Sequence, residues 1–345
     1  MAVAPRLSVV LVNWRRVDDT LECLESLLRS DLPVRVVVVD NASGDGSAEA
    51  IVAWGAGSHA ATVASPGMAR LSTPPRSKPL NIRRLAAGAA AAAVPYDADV
   101  TLIDANANLG FAGGNNLGLD FLLRAPATDY IWLLNNDTVI EPDAASALLA
   151  RLDATHHLGM CGTIVRYYYR PDIVQALNGH RFSLATGSSR GIGTGQSAVT
   201  PYDPARVARE TDFVLGASLA VSRRFVETIG PMTEDYFLYF EEVDWAFRNR
   251  GRFAIAFAHG AIVYHKEGGS IGSSGAKGQR SVLSDYYLTR SRLGFIRRRA
   301  PLLLPWHWLL TLALIGRRLL RLQPKKALVL GRALLGLRYT TGSRG

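Results

Sequence analysis

The chain has 345 residues, 48% of them apolar and 20% charged, which excludes a disordered chain and allows a sizeable core in one large domain or two small ones. Its two cysteines, Cys23 and Cys161, exclude a disulfide framework and a thiolate zinc site, and make a reducing cytosol the expected compartment. The net charge of +10 is uneven: from residue 276 onward 15 Lys and Arg face the single acid Asp285, whereas residues 1–275 carry 24 basic against 28 acidic residues, so the basic character belongs to a tail.

In chain order, Ser8 to Trp14 reads as a buried strand. No signal peptide is expected, because the apolar stretch Leu7 to Val12 is short and runs straight into Asn13. Asp19 to Arg29 carries Leu21, Leu24, Leu27 and Leu28 at helical spacing. Pro33 closes the connection, and Val34 to Val39 is a continuous β-branched strand. Together they form a βαβ unit. Asn41 to Ser47 is a turn-rich loop compatible with phosphate, and Ala48 to Trp54 starts a helix. Residues 55–95, rich in Ala, Gly, Ser and Pro, read as a partly flexible insertion with a short Ala-rich helix. Strand character resumes at Val100 to Ile103. Asn106 to Asn116 is a Gly/Asn loop before a helix at Leu117 to Leu123. Tyr130 to Leu134 is a strand, Asp143 to Leu152 a helix, residues 178–200 a polar mobile loop, and Ala261 to Tyr264 a strand.

The strand ends carry the chemistry. Tyr130 to Leu134 stops at Asn135, Asn136 and Asp137, and Val34 to Val39 stops at Asp40 and Asn41. Open α/β sheets bind ligands beyond the carboxyl ends of their strands, and oxygen ligands there suit Mg²⁺ or Mn²⁺. Each cluster alone is also what an ordinary Asx turn contains; two of them at strand ends favour a crevice for a nucleotide or phosphate ligand. Gly110, Gly113 and Gly114, with Asn108, Asn115 and Asn116, allow close ligand approach and open a helix whose free N–H groups attract anions, although a plain helix-entry turn has the same composition. From Tyr236 to Arg248, Glu241, Glu242 and Asp244 lie among five aromatic residues. The helix dipole and an Asp244–Arg248 pair explain acids there, yet an apolar setting also raises a carboxyl pKa as a general base requires. His265 follows a strand and precedes a Gly-rich stretch, a position open to a metal ligand.

The segments Ser8–Trp14, Val39–Ser47, Asn108–Asn116, Leu134–Asp137, Gly216–Ser218 and Phe240–Trp245, in this order over roughly residues 6–270, resemble family 2 glycosyltransferases, and most of all their bacterial rhamnosyltransferase and galactofuranosyltransferase-like branch. The resemblance implies an α/β, Rossmann-like GT-A fold: a mixed, mostly parallel sheet flanked by helices, over residues 1–275, with a basic helical region at 276–345. It implies inverting transfer of a sugar, rhamnose by this branch, from a dTDP- or UDP-sugar to a glycan or polyprenyl-linked acceptor. Asp40 would bind the donor base, Asp137 and His265 a Mg²⁺ or Mn²⁺ ion, and Glu242 would be the catalytic base, flanked by Glu241 and Asp244. Asn108, Gly110, Asn115 and Asn116 would line the donor; Asn13, Asn41, Asn135, Asn136 and Gly216, within the matching segments, belong to the same set. Three departures stand out. Asn135 replaces the first acid of the family's Asp-x-Asp element, the acidic pair is Glu-Glu, and residues 55–95 are longer than usual.

The tail contains an apolar run, Leu302 to Ile315, flanked by Arg on both sides and interrupted by Pro305 and His307. It is shorter than the ~20 residues that span a bilayer. With Trp306 and Trp308 it suits a helix lying on an anionic membrane, which places the protein in the cytoplasm at the inner face of the cytoplasmic membrane. A helical pair packed on the core or mediating dimers has the same pattern. Nucleic acid is not an expected partner, since aromatic residues outside the run are few. Two rival functions are a sugar-phosphate nucleotidyltransferase, whose Gly-rich signature after the first strand is replaced here by Asn13-Trp14-Arg15-Arg16, and a non-catalytic sugar-nucleotide-binding or assembly protein, which Asn135 favours and Glu242 and His265 disfavour.

Overall fold

The computed structural model of the chain describes residues 5–94, 98–267 and 281–339. The N-terminal half alternates strands and helices: β1 (Leu7–Asn13), α1 (Val17–Leu28), β2 (Arg35–Asp40), α2 (Ser47–Ala56), β3 (Ile82–Ala86), α3 (Ala87–Ala92), β4 (Val100–Asp104), α4 (Gly110–Leu123), β5 (Tyr130–Asn135), β6 (Thr138–Ile140) and α5 (Ala144–Asp153). There follow β7 (Leu158–Tyr167), β8 (Arg170–Leu177), β9 (Gly179–Ser183), β10 (Ser188–Gly191), α6 (Pro204–Glu210), β11 (Phe213–Val214), β12 (Ser218–Ser222), α7 (Arg223–Ile229), α8 (Glu241–Asn249) and β13 (Ala254–His265). Three helices close the described chain: α9 (Val282–Arg299), α10 (Leu304–Leu320) and α11 (Pro324–Leu334).

The main sheet runs β3-β4-β2-β1-β5-β12-β7-β13-β6, with β8 added beside β7. Pairing is parallel from β3 through β5 and again between β7 and β13, and antiparallel where β12 joins β5 and β7 and where β6 joins β13. This is the expected mixed, mostly parallel sheet flanked by helices. A sheet covered on both faces needs apolar residues at successive positions, and β1 and β2 show why the β-branched runs are continuous. Leu7, Val9, Leu11, Val36 and Val38 join one core, and Val10, Val37 and Val39 join the other. Strand order reverses at β1, which has β2 on one side and β5 on the other. Ligands bind at such a point.

Three local expectations are corrected. Helix α4 begins at Gly110, so the Gly/Asn stretch is mostly helix and only its first residues are loop. Glycine is a poor helix former, but a Cβ at Gly114 or Gly118 would lie 2.8 Å or 2.6 Å from the side chains of Val12 and Val10. Close docking of α4 on β1 therefore outweighs propensity. Residues 178–200, expected as a mobile loop, form β9 and β10, which pair antiparallel and with β11 build a small second sheet. Residues 55–95 do contain the short Ala-rich helix, α3, but they also supply β3, a polar edge strand paired parallel to β4. The boundary expected at 275/276 and the Gly-rich stretch after Glu267 lie outside the described residues.

Candidate active site

The register of the central strands brings the strand-end residues together. Asn13 of β1 lies beside Asp40 of β2, and Val12 beside Asn135 of β5. Asp40 is buried and held by its neighbours: Asn13 Nδ2 donates to its Oδ1 at 2.7 Å, Ser43 Oγ to the same oxygen at 2.5 Å, and the Ser43 N–H to Oδ2 at 3.1 Å. Thr20 Oγ1 donates to Asn13 Oδ1 at 2.8 Å, and Asn136 Nδ2 to Thr20 Oγ1 at 2.9 Å. A continuous chain of side chains thus fixes the Asp40 carboxylate relative to the Asn135–Asp137 turn. In the sequence, Thr20 and Ser43 read as ordinary helix-start and turn residues.

Asn41 braces the start of α4. Its Nδ2 donates to Asn108 Oδ1 and to the Gly110 carbonyl, each at 3.1 Å, and its Oδ1 accepts from the Leu109 N–H at 2.9 Å. Asn116 is taken up in the same way, donating to the Met232 carbonyl at 2.9 Å and to Glu234 at 2.8 Å. Asn115 donates to the Phe111 carbonyl at 2.9 Å. The amides of Asn41, Asn115 and Asn116 are therefore taken up within the protein, where they fix the start of α4 and its neighbours. Gly110 has φ +71°, and a Cβ there would lie 2.7 Å from the Phe237 carbonyl. The segment leading to Glu241 thus rests directly on the start of α4.

Across β5, Asp137 and His265 form a pair, with His265 Nε2 3.1 Å from Asp137 Oδ1. His265 Nδ1 donates to Gln175 Oε1 at 2.9 Å, which turns Nε2 toward Asp137. Asn135 Nδ2 lies 3.4 Å from the same nitrogen. Burial pushes the Asp137 carboxyl up, but the imidazole beside it holds it below its ordinary value. Burial lowers His265, and the Asp137 charge more than reverses this. The next residue, Lys266, anchors this corner: its N–H donates to the Asp137 carbonyl at 2.9 Å and its ammonium meets Asp19 at 2.6 Å and Glu22 at 2.7 Å. Among the described residues no third His, Cys, Asp or Glu joins Asp137 and His265 to form a metal cluster. One carboxylate and one imidazole fixed through its other nitrogen still fit Mg²⁺ or Mn²⁺ when diphosphate oxygens complete the shell. Gln175, on a different strand, carries no local signal in the sequence.

The acidic pair lies at the start of α8. A Cβ on Gly216 would stand 1.8 Å from Glu242 Oε1, so the carboxylate occupies the space that the glycine leaves open. The next residue, Ala217, accepts a hydrogen bond from the Asn135 N–H at 3.0 Å, and this links the Glu242 seat to the end of β5. Burial raises the Glu242 pKa. Glu241 is 1% exposed, and its Oε1 has no hydrogen-bond partner among the described residues. Burial first, and then the Glu242 charge, lift its pKa well above the ordinary value. Asp244 behaves differently. It accepts from Arg299 Nε at 2.6 Å, Thr233 Oγ1 at 2.7 Å, Arg248 Nε at 3.1 Å and the Tyr236 hydroxyl at 3.2 Å. Its oxygens are saturated, and it ties α8 to α9.

Residues 82–281 match the family described as glycosyltransferase like family 2. The low-salt glycan biosynthesis hexosyltransferase Agl10 of Haloferax volcanii is 23% identical over 152 residues, 44% of this chain. The chain spans about half the length of that relative, 47%. Among solved structures, the mannosyltransferase PcManGT of Pyrobaculum calidifontis, in complex with GDP-Man and Mn²⁺, aligns with 97% of this chain and 76% of its own at 15% identity and a TM-score of 0.49. TarS of S. aureus aligns with 91% of this chain and 43% of its own at 13% identity and a TM-score of 0.48. The chain belongs to the glycosyltransferase-like family 2.

Proposed function

We propose that this member of the family transfers a sugar, rhamnose in the branch it resembles, from a dTDP- or UDP-sugar to a hydroxyl of a glycan or lipid-linked acceptor, with inversion. The observation that carries this reading is the placement of Glu242. It is a half-buried carboxylate with a raised pKa, seated on Gly216, whose neighbour Ala217 accepts from the Asn135 N–H at the end of β5.

A sugar hydroxyl is a poor nucleophile, so a base must take its proton as the oxygen attacks the anomeric carbon. Glu242 accepts that proton while the bond from the anomeric carbon to the diphosphate breaks and its electron pair leaves with the nucleoside diphosphate. A single displacement inverts the anomeric centre. Asp40, held by Asn13 and Ser43, accepts from the donor base. Asp137 and His265 would hold a divalent ion, Mg²⁺ or Mn²⁺, which supplies positive charge to the leaving diphosphate.

The tail supports work at a membrane surface. Leu302, Leu309, Leu312, Leu319 and Leu320 are exposed on and beside α10, in a stretch of sequence that carries 15 Lys and Arg from residue 276 onward. An apolar, cationic helix of this kind lies on an anionic bilayer. Among the described residues no helix is long and apolar enough to cross a membrane.

The direct test is Glu242→Gln. Transfer from a panel of dTDP- and UDP-sugars falls by at least 10³-fold while thermal stabilisation by the donor persists. Lost donor binding with an unchanged residual rate would show that Glu242 belongs to the donor site and is not the base.

A further inference from the structure

Between α9, α10, the end of α11 and residues 235–237 lies a cavity of about 570 Å³ whose walls are aromatic and cationic. Phe237, 43% exposed, stacks on Tyr287 with ring centroids 5.1 Å apart and planes at 29°. Arg290, Arg297 and Arg338 also line it. Arg290 donates to the Tyr286 hydroxyl at 2.7 Å, and among the described residues neither Arg297 nor Arg338 has a carboxylate partner. Asp235 and Arg298, which line the same cavity, pair with each other, and Asp285 pairs with Arg318. Guanidinium groups gathered without counter-charge repel one another and favour a polyanion, and their planar forks match phosphate oxygens.

The cavity's location narrows the choice of anion. Its Phe237 wall is the segment that rests on Gly110, and the same segment continues into Glu241 and Glu242. Leu304 and Trp308 line the same cavity from one stripe of α10, and Leu312, one turn further along, is 53% exposed. The cavity thus offers cations for a charged centre and an apolar stripe for a tail, beside the segment that leads to the acid pair.

Resting on the reading of the protein as a transferase with a lipid-linked acceptor, we infer that this cavity seats the phosphate groups of that acceptor, an isoprenoid diphosphate. Arg290, Arg297 and Arg338 bind the phosphates, the Phe237–Tyr287 stack faces the acceptor sugar, and the apolar chain leaves along Leu304, Trp308 and Leu312.

The test uses the full chain in EDTA-containing buffer, which silences the candidate metal corner. Farnesyl diphosphate, farnesol and inorganic pyrophosphate are titrated calorimetrically into the native protein, an Arg297→Ala/Arg338→Ala variant, and an Arg209→Ala/Arg224→Ala variant that loses equal charge from exposed positions outside the cavity. Farnesyl diphosphate should bind at least tenfold tighter than either fragment, weaken at least tenfold in the first variant, and bind unchanged in the second. Pyrophosphate binding as tightly as farnesyl diphosphate would overturn the lipid assignment. Equal weakening in both variants, or no binding at all, would overturn the site. Thermal stabilisation by a nucleotide sugar, measured on the same proteins in EDTA-free buffer with Mn²⁺, separates the two readings. Arginine-dependent farnesyl diphosphate binding in a protein that no donor stabilises keeps the cavity and removes the transferase. Donor stabilisation without farnesyl diphosphate binding does the reverse.

Discussion

Replacing Gly216 with alanine tests the base assignment without touching Glu242. The added Cβ would stand 1.8 Å from Oε1, 2.8 Å from Cδ and 3.2 Å from Cγ of Glu242, whereas ordinary contact begins near 3.4 Å, so the oxygen must retreat by about 1.6 Å. The backbone at 216 is outside the left-handed region, and the clashing atoms are the far end of a flexible chain. The stability cost should therefore fall at the low end of the roughly 1–3 kcal/mol typical of overpacking. A misplacement of that size costs a positioned catalytic group about 100-fold in rate, or about 2.7 kcal/mol of barrier. The assay is steady-state transfer with the donor KM recorded separately, alongside a thermal melt. The expected result is a kcat down about 100-fold, a donor KM within a few fold of wild type, and a folded protein. Adding Gly216→Ala to Glu242→Gln should cost little more, because both act on one carboxylate. Wild-type kcat in folded Gly216→Ala, or full additivity in the double variant, would refute the reasoning.

Glu241→Gln should stabilise the fold in a pH-dependent way. The folded-state pKa of Glu241 is raised above its unfolded value, so its contribution is intact at acid pH and is lost as pH rises through that raised pKa. Urea unfolding should show a gain of about 1–3 kcal/mol at pH 8 and little at pH 4.5; equal gains at both would sink the assignment. Asp244→Asn removes the anion from a saturated buried site and should cost about 3–5 kcal/mol in the same assay, whereas a loss under 1 kcal/mol would mean that its arginines find other partners. Gln175→Leu frees His265 Nδ1 and should weaken Mn²⁺ binding, titrated with donor present, by about 10–100-fold; unchanged affinity would remove His265 as a ligand. Leu309→Glu/Leu312→Glu should abolish sedimentation with phosphatidylglycerol vesicles, and persistent binding would move the membrane contact off α10.

What could be seen in the sequence was whatever had a local cause. Val34 to Val39 announced a strand buried on both faces, and the observed β2, Arg35–Asp40, is that strand displaced by one residue. The acids and amides after β2 and β5 were visible because a polar cluster ending an apolar run is a local event. What was missed depends on distant partners. The start of α4 at Gly110 follows from contact with Val10 and Val12, about a hundred residues earlier. Strand β3 is an edge strand carrying Arg83 and Arg84, and β9, the middle strand of the small second sheet, carries Arg181, so neither shows apolar alternation. Asp244 showed only its helical neighbour Arg248, while Arg299, 55 positions away, supplies its shortest hydrogen bond. Glu22 and Glu25 sit on the buried side of α1 because Tyr168, Lys266, Trp54 and Lys78 meet them there, and no spacing within α1 signals that.

The same long-range logic ties the basic tail to the acid pair. Tyr239 and Phe240, immediately before Glu241, have φ of +66° and +75°, a left-handed conformation that costs a bulky residue roughly 1–3 kcal/mol. Such a pair persists only where its surroundings hold it. Here the Tyr239 hydroxyl donates to Ser284 Oγ of α9 at 3.1 Å. Phe240 lies 5.5 Å from Phe295 of α9 and 5.9 Å from Phe182 of β9, ring centre to ring centre. Arg299, at the end of α9, clamps Asp244 one turn into α8. Helix α9 thus grips both sides of the Glu241–Glu242 step and braces the strained turn from which Glu242 meets Gly216. The tail is then part of the support of the acid pair, and a ligand that orders α9, α10 and α11 around the arginine-lined cavity would act on the carboxylate through this contact.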